Sequence, residues 1–157
     1  MSEKKCESSF KNLFLIGVTV GIISGFGAYL FFKGLEYGTA FVMEYLFGAY
    51  LPLEGQTAAE VAAWTPPPVI WLILPIICAG ALLSGLIVYF FAPEAEGHGT
   101  DAAIRAYHGD GKIRWRVPIV KAVASIITIS TGGSAGREGP TAQIAAGFGA
   151  FIADIFH

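Results

Sequence analysis

The sequence predicts an all-α, polytopic membrane protein, and three observations carry that prediction. The first is composition: 54% of the 157 residues are hydrophobic and only 14% are charged, with a mean hydropathy of +0.61. The second is run length. Residues 12–32 and 69–92 contain no charge, and about 20 apolar residues suffice for a helix to cross the hydrocarbon core. The third is the distribution of cations. Lys4, Lys5 and Lys11 lie before the first run; Arg105, Lys112, Arg114 and Arg116 follow the second; residues 48–68 carry none. The excess of Lys and Arg on cytoplasmic loops then puts the N-terminus and 93–117 in the cytoplasm and 48–68 outside. The expected location is the cell membrane, crossed several times. The net charge of −2 says little beside this segregation. The first run is too long for a cleaved signal peptide and lacks a small-residue cleavage site followed by polar sequence. Cys6 and Cys78 suggest neither a disulfide framework nor a metal site.

Taken in order, residues 1–11 read as a cytoplasmic tail, and 12–157 as the membrane part. Residues 12–47 read as one long helix, because the apolar pattern continues through Lys33, Glu36 and Glu44. That exceeds one perpendicular crossing and implies a tilted helix with a wetted end. Gly17, Gly21 and Gly25 recur every four residues, a small-residue stripe suited to close helix contact. Residues 48–68 read as an outer loop ending in the breaker Pro66-Pro67-Pro68. A second helix is expected over 69–92, with Gly80 and Ser84 again suiting close packing and Pro75 in its first turns or at a kink. Residues 93–117 form a cytoplasmic or re-entrant segment. There Gly97-His98-Gly99-Thr100-Asp101 reads as a sharp loop feeding a helix start that Thr100 or Asp101 would cap, or as an ordinary turn. His98 and His108 have no third ligand at sensible spacing, so no metal is expected. Helices are expected over 118–134 and 140–156.

The last two runs are short and are joined by Gly132-Gly133-Ser134-Ala135-Gly136. A glycine cluster between two short apolar helices is what a broken membrane helix needs, and irregular backbone at that depth survives only where it lines a buried or wet cavity. Arg137 and Glu138 stand at the mouth of the second helix. Charges within a membrane cost roughly 2.5–3.5 kcal/mol each on insertion scales and read as functional. Pro140 suits a first helical turn, and Gly136 and Gly139 let the backbone approach a ligand. The free N–H groups and positive dipole end at that helix start would hold an anion. Glu138 is itself an anion there, able to occupy the site or be displaced from it. Paired broken helices aimed at a midplane site are a transporter device.

Gly136-Arg137-Glu138-Gly139-Pro140-Thr141-Ala142-Gln143-Ile144 resembles the ion-pathway signature of the CLC chloride channel and chloride–proton antiporter family. Ala92-Pro93-Glu94-Ala95-Glu96-Gly97-His98-Gly99 is similar to the segment leading into that family's first anion-binding loop, and both stand in the family's order. The resemblance implies voltage-gated channel-like or exchange-type transport of chloride or another small anion, with protons as a second ion in exchangers. It implies that Glu138 is the gating, proton-linked carboxylate. It also implies that His98, Gly99, Thr100, Gly136, Arg137, Gly139, Pro140 and Thr141 border the anion. His98 replaces the family's usual serine and Asp101 its proline, which opens the choice of anion. The family's membrane domain has two inverted repeats, and this chain is expected to stop before the first is complete, as a fragment or one piece of a two-part protein. A homodimer is implied for the complete protein. No cofactor and no nucleic-acid partner is expected.

Two other functions fit some residues. Gly132-Gly133-Ser134-Ala135-Gly136 matches a serine-hydrolase nucleophile elbow, with Asp154 and His157 following in order. That elbow needs a preceding strand, and 118–130 is a helix-length apolar run, so enzyme activity is not expected. Alternatively the chain is a non-transporting membrane fragment that needs a second polypeptide, since a half-built pore leaves polar groups unsatisfied in lipid.

Overall fold

The computed structural model describes residues 3–48, 70–109 and 113–156, with side chains from residue 14 onward except at 153, 155 and 156. The expected outer loop after Gly48, its proline breaker, Lys112 and His157 lie outside the described residues. Every regular element among the described residues is helical. Helix α1 spans Glu3–Phe41 and continues as a π-helical turn, Val42–Phe47, stopped by Gly48 with φ 60°. A 3₁₀ turn, Ile70–Leu72, leads into α2, Ile73–Phe91. Pro93–Ala95 form another 3₁₀ turn, followed by α3, Gly99–His108. Helix α4 spans Arg116–Ser130 and α5 spans Glu138–Phe156.

Helix α1 starts at Glu3, inside the segment expected to be a polar tail. Glu3, Lys4, Lys5 and Lys11 are good helix formers, so the polar end extends the apolar helix. Pro75 lies in the first turn of α2, where its missing N–H breaks no hydrogen bond.

Helices α4 and α5 form the centre. Helix α4 packs on α1, α2 and α5, and α5 on α1, α3 and α4. Phe31 and Leu35 of α1 meet Ile144 of α5, with Ile126, Ile129 and Phe148 around them. Ala92, Ala95 and Val117 close the junction between the end of α2 and the start of α4. Val42 and Phe47 pack on Ile73 and Ile76, tying the end of α1 to the start of α2. Ser84 and Thr128 add a polar clasp between α2 and α4: Thr128 donates to Ser84 Oγ at 2.8 Å, and Ser84 donates to the Ala124 carbonyl at 3.1 Å.

The stripe Gly17, Gly21, Gly25 is not the close-packed face of α1. A Cβ added at any of the three meets nothing within 4 Å, whereas one at Gly27 would come 2.5 Å from the Phe148 ring and one at Gly34 2.6 Å from Ile126 Cδ1. Each helical residue turns about 100°, so Gly25 and Gly27 point to opposite sides.

Two helical stretches, Phe14–Phe47 and Ile70–Phe91, are long and apolar enough to cross a membrane. Phe14, Leu15, Ile22, Phe26, Leu74 and Phe90 are more than half exposed on them, an apolar surface beyond the norm for a protein in water. Lys33 and Glu36 offset each other on α1 through a 2.7 Å ion pair. Helix α4 has 15 residues and α5 has 19, giving lengths of about 22 and 28 Å, each short of a hydrocarbon core of about 30 Å.

Candidate anion site at two helix starts

The starts of α3 and α5 meet. Gly99 opens α3 and is buried; a Cβ there would strike the carbonyl oxygen of Gly139, near the start of α5. His98 occupies the cap position of α3 in extended conformation, with no side-chain cap. Neither Thr100 nor Asp101 is the cap, because the helix begins one residue before Thr100. The His98 ring lies against Gly139: its Nδ1 is 3.2 Å from where a Gly139 Cβ would stand. Glycine is required at position 99, where an added Cβ would overlap backbone, while at position 139 the His98 ring would have to give way slightly.

At the start of α5, Gly139 and Pro140 are buried, while Gly136, Arg137 and Glu138 are exposed. Thr141 secures the first turn: its hydroxyl donates to the Arg137 carbonyl at 2.7 Å, and its N–H reaches the same oxygen at 3.2 Å. The turn before it folds back on α4, with the Gly133 N–H on the Thr128 carbonyl at 2.8 Å and Gly132 at φ 93°. Helix, not strand, precedes Ser134, so the nucleophile-elbow geometry is missing.

A cleft of about 570 Å³ opens at the meeting point and is lined by His98, Gly99, Gly136, Gly139 and Pro140 among others. Those five sequence-predicted residues therefore share one surface. Thr100, Arg137, Glu138 and Thr141 do not line it; Glu138 sits in the same helix turn, facing out. The first N–H groups of each helix have no intrahelical acceptor, and two such ends facing one cleft add their positive dipole potentials. The place suits a small anion.

Sequence reading missed Lys121, Ser84 and Thr128, which also line the cleft. Lys121 projects from α4 and donates to the carbonyls of Ala95 at 2.9 Å and Gly97 at 2.7 Å. The signal was present: Lys121 is the lone charge in the run 118–134. Nearby, Arg114 donates to Glu94 at 2.9 Å and holds its carboxyl below the usual carboxylate range. No group of three or more potential metal ligands exists among the described residues.

Residues 80–157 match the family described as voltage gated chloride channel. Over 97% of its length the chain is 32% identical to the H(+)/Cl(-) exchange transporter ClcA of Vibrio cholerae, covering 30% of that protein. It is 31% identical to the protein of that name from Cronobacter sakazakii, over 92% of the chain and 28% of the relative. With that of Vibrio vulnificus it shares 36% identity over 73% of the chain and 26% of the relative. The chain thus spans less than a third of the length of these curated relatives. No solved structure matches it significantly. The motif that resembled the CLC signature, the helical architecture and these matches agree, and the chain belongs to the voltage-gated chloride channel family.

Proposed function

We propose that this chain supplies the N-terminal part of a transmembrane anion pathway for chloride or another small anion, with Glu138 as its gate. The observation that carries the reading is the meeting of two helix starts at Gly99 and Gly139 around one cleft. In this reading the backbone from Gly136 to Thr141, at the start of α5, supplies N–H groups to the anion, and His98, Gly99 and Thr100 border it from the start of α3. The Glu138 carboxylate competes for the same N–H groups, since the dipole that draws the anion also draws it. Protonation removes its charge and releases it. Relatives named as H(+)/Cl(-) exchange transporters favour proton coupling over passive conduction. The N-terminus and 93–117 face the cytoplasm and 48–68 faces outside.

The test is Glu138→Gln in the pathway-forming protein, continuous or assembled from two pieces, reconstituted in liposomes. Wild-type anion flux is expected to rise with external acid. Glu138→Gln should keep flux running, lose its dependence on external pH, and lose proton coupling. Retention of the pH dependence would make Glu138 a structural residue.

The coverage of the relatives, 26–30%, favours a second reading alongside the first: alone, the chain carries one side of the pathway and transports only with a further polypeptide.

A further inference from the structure

Among the described residues, Lys121 is the only lysine or arginine on the cleft lining, and Glu96 is the only carboxylate there. Lys121 is half-buried on α4, and among the described residues it has no carboxylate partner. Its hydrogen bonds instead go to two main-chain carbonyls, Ala95 and Gly97. Those carbonyls flank Glu96, in the segment that immediately precedes His98 and Gly99. Gly97 is the bend of that segment, at φ 81°, and Ala95 is buried beside Val117. A flexible amine on a four-carbon stem is thus fixed at both ends, on α4 and on the approach to α3. Two of its three N–H donors are used, and among the described residues no carboxylate pairs with its charge, which stands at the edge of the cleft where the two helix starts meet.

We propose that Lys121 is the positioning residue of this site: it holds the Ala95–Gly97 bend so that His98 and Gly99 stay seated on Gly139, and it supplies the fixed cation that draws an anion into the cleft. The inference rests on the anion-site reading and adds to it a residue outside both helix-start motifs. The two roles separate experimentally. Charge acts through space and is shared by lysine and arginine. The tether acts on the backbone and is lost with methionine.

The test uses the purified 157-residue chain in detergent, with sodium chloride as probe against sodium isethionate at equal ionic strength. Chloride affinity is read by calorimetry, and backbone protection of residues 97–102 by hydrogen exchange in isethionate. Lys121→Met is expected to weaken chloride binding about ten-fold, equal to about 1.4 kcal/mol. It should also speed exchange at residues 97–102 while exchange in α5 stays as in wild type. Lys121→Arg is expected to restore chloride affinity to within about three-fold of wild type, a rescue that mere filling of space would not produce. Should Lys121→Met fail to fold, Lys121→Gln, also uncharged, replaces it with the same expected loss of affinity. Wild-type chloride affinity together with wild-type exchange in the uncharged variant overturns the proposal. If the wild-type chain takes up no chloride while Lys121→Met still loosens residues 97–102, the anion-site reading fails and the tether stands. If neither changes, both fail.

Discussion

A side chain at Gly99 has no room, because its first carbon would overlap the Gly139 carbonyl and then press on Gln143. Backbone cannot rotate aside as a flexible side chain can. Gly99→Ala is therefore expected to push the starts of α3 and α5 apart at a cost of about 1–3 kcal/mol, the usual range for overpacking, seen as a lower thermal midpoint in detergent. Gly136→Ala is the matched control: nothing lies within 4 Å of its added Cβ, and the change should stay within about 0.5 kcal/mol. An equal loss from both would mean that the close approach is not what holds the site. The contrast also marks what sequence could say at this scale. Gly136 and Gly139 both stand out in the motif, yet only Gly139 is pressed against a neighbour. The partner that presses on it, Gly99, lies 40 positions away. Lys121 was legible as a lone charge in an apolar run. Its role was not, since the carbonyls it holds come from a turn whose path depends on the whole bundle.

At the scale of elements, apolar run lengths foretold the long helices because burial in hydrocarbon leaves the backbone no partner but itself. Helix faces were less legible. Helix α1 carries glycine on two opposite sides, and four-residue spacing identifies a stripe without saying which neighbour meets it. Gly27, Gly34 and Gly38 form the face that α4 and α5 approach, through Phe148, Ile126 and Ser130. Gly34→Leu is expected to lower the thermal midpoint, equivalent to about 1–3 kcal/mol, because Ile126 sits against Phe31 and Leu35 in the core and has little space to yield. Gly21→Leu should leave it unchanged in detergent. If Gly21→Leu instead impairs only the transport-competent assembly, the Gly17–Gly21–Gly25 side is a contact surface for another part of the protein. The helix starts moved for a related reason. The α3 start is set by Gly99 meeting α5, so the best local capping residues, Thr100 and Asp101, fall inside the first turn rather than before it.

At the scale of the whole molecule, contacts fix how the helices run. Gly80 lies by Thr131, Ser84 by Thr128 and Ala92 by Val117, so α2 and α4 are antiparallel. Ser24 bonds the Ala145 carbonyl while Phe31 packs on Ile144 and Val20 lies by Gly149, so α1 and α5 are antiparallel too. The end of α2 and the start of α4 then share one end of the bundle, joined by the Glu94–Arg114 pair. With Cys6 and Cys78 replaced by serine, a thiol at Gln56 is expected to react with an impermeant reagent added outside intact cells, and one at Arg114 only after permeabilisation. The opposite pattern would invert the topology without altering the fold. The same arrangement bears on whether the chain transports alone. Its cleft is lined from α2, α3, α4 and α5, and an anion crossing the membrane must be screened from lipid on every side by protein or water, because an ion facing hydrocarbon costs several kcal/mol or more. The chain matches less than a third of each exchanger it resembles, so the remaining walls are expected from further sequence. Liposomes holding only the purified 157-residue chain should therefore lose chloride no faster than empty ones. Saturable efflux that Lys121→Met reduces would show instead that copies of this chain close the pathway among themselves.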